Sequence, residues 1–445
     1  VKNKRFSTPN YKPLTLIELN EFNFEILEHG AKKYGSSNIL SLLKGSHSET
    51  QCPEVDSTGE SLLEPWIQWV SVHNGVEATE HSVRQFCEDE WQPNQQLWCQ
   101  VKSLGINSSV WNGFNTQPGK AKVYLPIAWS HPQSPIPSSL NPYFQLLQYS
   151  ATTYTNMNIL KLIGLFVKLQ WFLMTLSGLR WKFTIDLFHL MIGLVRTPKM
   201  FVAAGYLELV GARIWKRYSK SHSCKLNIIC IHLMAHLQHN YLADLSKVES
   251  DPIWKEGFFW LDRIIGVILD SDSESSATVL LNGMSQVHHK SAGTNNYVYK
   301  LLDPRAFLAD LGIFPLEIYP HMTAEQTLVF DSKKEQQKAI EILTSAKLNT
   351  EAAFVIKEYK GNRLFFRLAS HAKIDPNENI SFGARQLPFK KYYYNFGVET
   401  GSHTPKGVAI ARGIDLPEHM QLSEMKNHIV NYFQIQGSNI ESSRS

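Results

Sequence analysis

The run Leu14–Leu19, LTLIEL, limits the fold of this chain more than any other feature: apolar but for Thr15 and Glu18, it ends abruptly at Asn20-Glu21. A short, nearly continuous apolar run with polar punctuation reads as a strand buried on both faces, as in a parallel sheet whose crossovers carry covering helices. Open α/β sheets bind ligands beyond the C-terminal ends of their strands, so Glu18, Asn20 and Glu21 stand where a site would form. Residues 21–44 then read as a helix and its exit. Residues 62–74 (LLEPWIQWVSVHN) read as a second helix entered through Glu64-Pro65, proline being suited to a first helical turn.

The alternation continues along the chain. LWCQVKSLGINSSVW (97–111) gives a helix, a stop at Gly105 and a strand; LNIICI (226–231) and ATVLL (277–281) read as further buried strands, and the same αβ rhythm is expected in the C-terminal third. HPQSPIPSSLNP (131–142) has no period and reads as a linker. Beyond it, 143–222 is helical in pattern and is expected to stand over the sheet. The expected fold class is therefore α/β, a doubly wound and mostly parallel sheet with a helical insertion. In this division 1–142 is the first part of the α/β domain, 143–225 a helical insertion or cap, and 226–445 the second part.

Composition narrows the classes of function. With 43% hydrophobic and 19% charged residues over 445 positions, the chain can bury a large core and is not disordered. Forty-four basic residues against forty acidic ones give +4 without a basic stripe, which argues against nucleic acid as a partner. The densest basic segment, RIWKRYSKSHSCK (213–225), reads as a solvated helix end. Cys52, Cys87, Cys99, Cys224 and Cys230 form an odd set with no CxxC pair, against both a disulfide framework and a thiolate zinc knot, and fit a reducing compartment. Residues 1–13 carry basic residues but no apolar core of a secretory signal, and with the cysteine usage a cytoplasmic or membrane-associated location is expected.

The most apolar stretches are ILKLIGLFVKLQWFLMTL (159–176) and TIDLFHLMIGLV (184–195). A spanning helix needs about 20 almost uninterrupted apolar residues. Lys161, Lys168 and Gln170 break the first stretch, and Asp186 and His189 the second. Lys161 and Lys168, seven apart, share one helical face, which makes the segment amphipathic. Two readings follow: packed cap helices, and peripheral membrane contact through 159–217. The tryptophans Trp66, Trp69, Trp91, Trp111 and Trp129, the last within the run AWS (128–130), could line a pocket for a sugar or lipid group. Trp66 and Trp69, three apart in a helix, are assigned to the core.

Four segments stand in a telling order: LTLIELNE (14–21), EPWIQWVSVHNGVEATEHSV (64–83), IHLMAHLQHNYL (231–242) and GSHTPKGVAIARG (401–413). Together they resemble the type I phosphodiesterase and nucleotide pyrophosphatase branch of the alkaline phosphatase superfamily, as a divergent member with incomplete metal motifs. The resemblance puts Asn20 at the position of a metal-binding Asp. It matches an HGI-type region at Gly75, His81 and Val83, sets His239 in a D-x-x-x-H pair whose Asp position is Ala235, and completes an H-x-P-x-G turn with His403, Pro405 and Gly407. Where the family carries an SDHG motif, VLLNGMSQVHH (279–289) offers Asn282, Ser285 and Gln286.

The resemblance implies divalent cations, usually zinc, that clamp a transferring phosphoryl group. One site is expected rather than two: His239 and His403, with Asn20 at the strand end and a carboxylate such as Glu21 or Glu64 completing the set. The nucleophile register falls at Glu64 or Pro65, with Ser57, Thr58 and Ser61 just upstream. Glu64 suits either a general base for water or a charge favourable at a helix N-terminus. Glu18, His236, Asn282, Gln286 and His81 are expected to contact substrate or support the ligands. His236 forms HxxH with His239, neighbours on a helix, although a histidine on an apolar segment is ordinarily a satisfied core residue. His73 and the pair His288-His289 are assigned to structure or surface. Two functions are expected: a metal-dependent hydrolase or transferase of a phosphate or sulfate ester, on a small molecule or a glycan or lipid carrier, and alternatively a non-catalytic binding or assembly protein that kept the fold.

Overall fold

Leu14–Leu19 forms strand β1, buried along its whole length. The structure, a computed structural model, describes residues 11–81, 83–86, 95–129, 133–153, 157–176, 180–197, 200–242, 245–270, 276–288, 296–321, 325–359 and 361–442; residues 1–10, Cys87, Trp91, Ser130 and His289 lie outside these. The remaining strands around β1 are β2 (Ser46–Gln51), β3 (Ser108–Trp111), β4 (Val123–Leu125), β5 (Leu226–Ile231), β6 (Ala277–Leu281), β7 (Ser285–His288), β8 (Gly401–Thr404), β9 (Lys406–Arg412) and β10 (His419–Gln421). An eight-stranded sheet has the order β10-β2-β9-β6-β1-β5-β3-β4. From β6 to β4 every pairing is parallel, and β9 runs antiparallel to both its neighbours. β1, β5 and β6 are the apolar runs read from the sequence, and they occupy the centre, where both faces must be covered.

Helices cover this sheet in two packed groups. In one, α1 (Phe24–Tyr34), α5 (Met200–Ser221), α6 (Leu233–Tyr241) and α7 (Pro252–Leu269) pack on one another; in the other, α2 (Pro65–Asn74) and Leu97–Ser103 pack on Met425–Ser442. The expected α/β class with a mostly parallel sheet is what the chain forms. α1 starts where the Asn23 side chain accepts from the Ile26 amide at 3.1 Å. α2 starts at Pro65 rather than Leu62, because proline drives the preceding residue out of the helical region, and Glu64 is accordingly extended at φ −128°. It ends at Gly75, whose φ of 67° is left-handed.

The described residues between 141 and 221 form the helices Asn141–Thr152, α3 (Ile159–Thr175), α4 (Arg180–Arg196) and α5. The linker ahead of it is tied down, since Ile136 exchanges two 2.8 Å backbone hydrogen bonds with Tyr124 of β4. Among the described residues no helix is long and apolar enough to cross a membrane. Cys52, Cys99, Cys224 and Cys230 are buried and free, and burial pushes the thiols of Cys52 and Cys224 up to about 12, so they stay protonated.

Residues 148–164 and 289–400 make a second compact unit. Its core gathers around Phe307, Leu328, Leu364 and Phe366. The αβ rhythm expected in this third of the chain is replaced by antiparallel pairing: Gln326–Val329 lies between Glu317–Pro320 and Arg363–Leu368, and Asn379–Phe382 pairs with Arg385–Pro388. The reason is connection length. Asn379–Phe382 and Arg385–Pro388 are joined through Gly383, at φ 63°, and a parallel crossover needs about a dozen residues or more.

Candidate metal centre

The C-terminal end of β1 is held between its neighbours: the Asn20 amide donates to Ile231 O and the Glu21 amide to Asn282 O, each at 3.0 Å. This turn leaves Glu21 left-handed at φ 58°, a conformation that costs a residue with a Cβ and is found at sites whose side-chain placement demands it. The Glu21 carboxylate is buried and collects donors from four parts of the chain. Its Oε1 accepts from Asn20 Nδ2 at 2.9 Å. Its Oε2 faces Gln286 Nε2 from β7, His239 Nε2 at 2.9 Å from the last turn of α6, and His403 Nε2 at 3.0 Å from β8. The pairing of β8 with β7 sets His403 directly across from Gln286.

Charge explains the protonation of this cluster. Burial by itself would raise the Glu21 carboxyl, but His403 and His239 together hold it well below the usual carboxylate range. Burial would equally depress His403. The charge and hydrogen bond of Glu21, helped by Glu64 and the Leu63 carbonyl, override it and raise the imidazole to about 9. His403 Nδ1 lies 2.6 Å from Leu63 O and must donate there, since a carbonyl only accepts. His239 is the open side, its side chain 30% exposed against 1% for Glu21.

Glu64 stands next to Leu63 at the start of α2. Its side chain makes no cap bond to that helix, and its charge acts on His403. Asn20, Glu21, Glu64, His239 and His403 thus converge on one rim of the sheet. Ser57, Thr58 and Ser61 are exposed, and the Thr58 hydroxyl donates to Asp56 within its own turn. His81 is placed apart, its Nε2 3.1 Å from Ser71 Oγ, and burial with the nearby Arg84 pulls it down to about 4. His236 is on the exposed side of α6. Glu18, expected to contact substrate or support the ligands, is fully buried with its Oε1 2.6 Å from His73 Nε2. His73, assigned to structure or surface, is the buried partner of that carboxylate.

Three further residues support the cluster, of which Asn282 is expected from the sequence and Gln238 is not. Trp69, assigned to the core, donates its indole N–H to Asn20 Oδ1 at 2.7 Å as well. Gln238 donates to the Glu21 carbonyl at 2.8 Å and accepts the Asn23 amide at 2.8 Å. Asn282 accepts from the Val408 amide at 2.9 Å and donates to Phe22 O at 2.9 Å, so it braces three segments of backbone. Only its place beside His239 on the same helix could have hinted at the contacts of Gln238.

Among the described residues, Glu21, His239 and His403 form the His, Cys, Asp and Glu group able to hold a metal ion, their ligating atoms lying within 4.8 Å of one another. The donor set fits a divalent cation: one carboxylate and two imidazoles are the ligand kinds of open, three-ligand zinc sites. The bond from His403 Nδ1 to Leu63 O is the outer contact that orients such an imidazole and leaves its Nε2 for a cation. Ala235, at the position where a second Asp is implied, offers no ligand atom, and Asn20, Asn282 and Gln286 offer amides engaged in the hydrogen bonds above.

No family model matches this chain, and no curated protein sequence matches it either. Among solved structures it is similar to murine ectonucleotide pyrophosphatase/phosphodiesterase 5, in an inactive form in complex with AMP, at 8% identity and a TM-score of 0.43 with 95% of each chain covered. It is also similar to human ectonucleotide pyrophosphatase/phosphodiesterase 5, at 9% identity and a TM-score of 0.41, covering 94% of this chain and 95% of that one.

Proposed function

We propose that Glu21, His239 and His403 hold one divalent cation, zinc by the chemistry of the donors, and that the chain acts there as a hydrolase or transferase of a phosphate or sulfate ester. The supporting observation is the meeting of three ligating side chains, 382 positions apart at the extremes, around one buried carboxylate oxygen. A cation bound there supplies Lewis-acid stabilisation of the charge that builds on an ester oxygen. Asn20 and Gln286 fix the orientation of the Glu21 carboxylate, and Leu63 O fixes the ring of His403. Glu64 is the group placed to accept a proton from an attacking water or hydroxyl, beside His403 and without a cap bond to its own helix. Substrate enters over His239, the exposed member.

The test is metal analysis of the purified chain alongside turnover of an aryl phosphodiester, an aryl phosphomonoester and an aryl sulfate. One equivalent of cation is expected in the wild type and none in a His239→Ala, His403→Ala double variant. Turnover of at least one ester should fall by roughly 10²-fold or more in Glu64→Gln, in line with general-base losses. A wild type that binds neither zinc, manganese nor calcium and turns over none of the three esters would overturn the proposal.

A second reading has its own support: amides at Asn20, Asn282 and Gln286 and the bare Ala235 stand where the resemblance implies the carboxylates of a second cation site. In this reading the chain binds an ester without cleaving it. Stoichiometric binding of a phosphate monoester with no turnover is its signature.

A further inference from the structure

Two helices of the first compact unit are apolar on the side that faces solvent. On α4, Phe183, Leu190 and Gly193 are buried, while Trp181, Ile185, Phe188 and Val195 point away from them at 81%, 50%, 62% and 85% exposure. These four recur at the spacing of one helical stripe. The 165–175 part of α3 repeats the arrangement, with Leu165, Leu169 and Leu173 buried and Val167, Trp171 and Met174 exposed. Arg180 Nε donates to Met174 O at 2.7 Å and so joins the two helix ends. A helix at the surface of a globular protein normally turns charged and polar residues outward. Here the outward stripes are aromatic and aliphatic.

Within 165–196 the exposed charges have one sign. Between 165 and 196 the single acidic residue is Asp186. It is fully buried and bonded by Arg213, at 2.7 Å, and by Arg263, at 2.5 Å, so it adds nothing negative to the surface. Lys168, Arg180, Lys182 and Arg196 are all exposed. Apolar stripes bearing tryptophan, on segments whose own exposed charges are all cations, are the pattern of helices that lie in the plane of a membrane interface.

We propose that α4 and the 165–175 part of α3 dock on an anionic lipid bilayer, with Trp171 and Trp181 at the headgroup boundary and Lys168, Arg180 and Arg196 against the lipid phosphates. The helices lie on the bilayer and do not cross it, consistent with the absence of a spanning helix among the described residues. A second copy of this chain fits the surface less well, because a symmetric contact would set these cations against themselves. The proposal is independent of the metal centre.

Flotation of the full chain with phosphatidylcholine vesicles, and with vesicles of phosphatidylcholine mixed with phosphatidylglycerol, tests it. Binding is expected to the mixed vesicles at low salt, and to fall by roughly tenfold or more both in Trp171→Ser with Trp181→Ser and in Lys168→Glu with Arg196→Glu. All four positions are exposed, and unchanged thermal melting in each variant keeps the comparison to the surface. No flotation of the wild type, or undiminished flotation of the tryptophan variant, overturns the proposal. Equal binding to both kinds of vesicle overturns the anionic assignment. A wild type that sediments as a dimer without binding vesicles, and becomes monomeric in the tryptophan variant, assigns the surface to self-association instead.

Discussion

His403 is held at both ring nitrogens: Nδ1 lies 2.6 Å from the carbonyl of Leu63, and Nε2 lies 3.0 Å from Glu21 Oε2. The imidazole is therefore fixed in position whether its second nitrogen carries a proton or meets a cation.

The first consequence concerns pH in the metal-free protein. His403, at about 9 when folded against an ordinary 6.5, contributes stability that is whole below 6.5 and is lost as pH rises through 9. Glu21, lowered from 4.5, contributes stability above its ordinary value and loses it as pH falls through its folded value. Melting temperature should thus decline between pH 7 and about 9, and Glu21→Gln should flatten that decline while NMR shows the His403 midpoint moving down by about one unit or more. An unchanged midpoint would mean that Glu21 is not its main partner.

Cation binding must displace the His403 proton. Zinc affinity is expected to tighten by up to tenfold for each unit of pH between roughly 6.5 and 9, with proton release visible as a buffer-dependent enthalpy in calorimetry. A pH-independent affinity would place the cation elsewhere.

Glu18 and His73 form a fully buried pair, and removing one partner strands the other. His73→Ala should cost about 3 kcal/mol or more in urea unfolding. Glu18→Leu combined with His73→Leu should cost well below the sum of the two single changes, because both polar groups leave together.

Trp69 is the fourth test. Trp69→Phe keeps an aromatic ring in the core but removes the donor to Asn20 Oδ1, so a loss of about 1 to 2 kcal/mol is expected. Metal affinity should fall as well, since Asn20 orients the carboxylate of Glu21. Affinity equal to wild type would show that Asn20 keeps its place without the indole.

The sequence was readable wherever a local pattern has one structural meaning. The runs 14–19, 226–231 and 277–281 read as central strands, and the polar break at Asn20-Glu21 marks the rim where Glu21, His239 and His403 gather. HxxH placed His239 on a helix, whereas His403, expected in an HTPKG turn, lies within the strand Gly401–Thr404. Periodicity gives a face but not the object that covers it. That is why 159–217 stays open between packed cap helices and membrane contact when read from sequence, and why the pairing of Glu18 with His73, 55 positions apart, leaves no trace. The antiparallel hairpins of 296–399 were missed because strand runs look alike until the length of their connections is weighed.

The left-handed backbone at Glu21 has a bearing on how this position can change over time. Glycine or asparagine would sit there more comfortably, and a β-branched residue far less so. The acidic side chain is the reason to tolerate an uncomfortable residue at the turn. In descendants that lose the proposed cation site, position 21 should drift toward glycine or asparagine first, ahead of any change in the strand that leads to it.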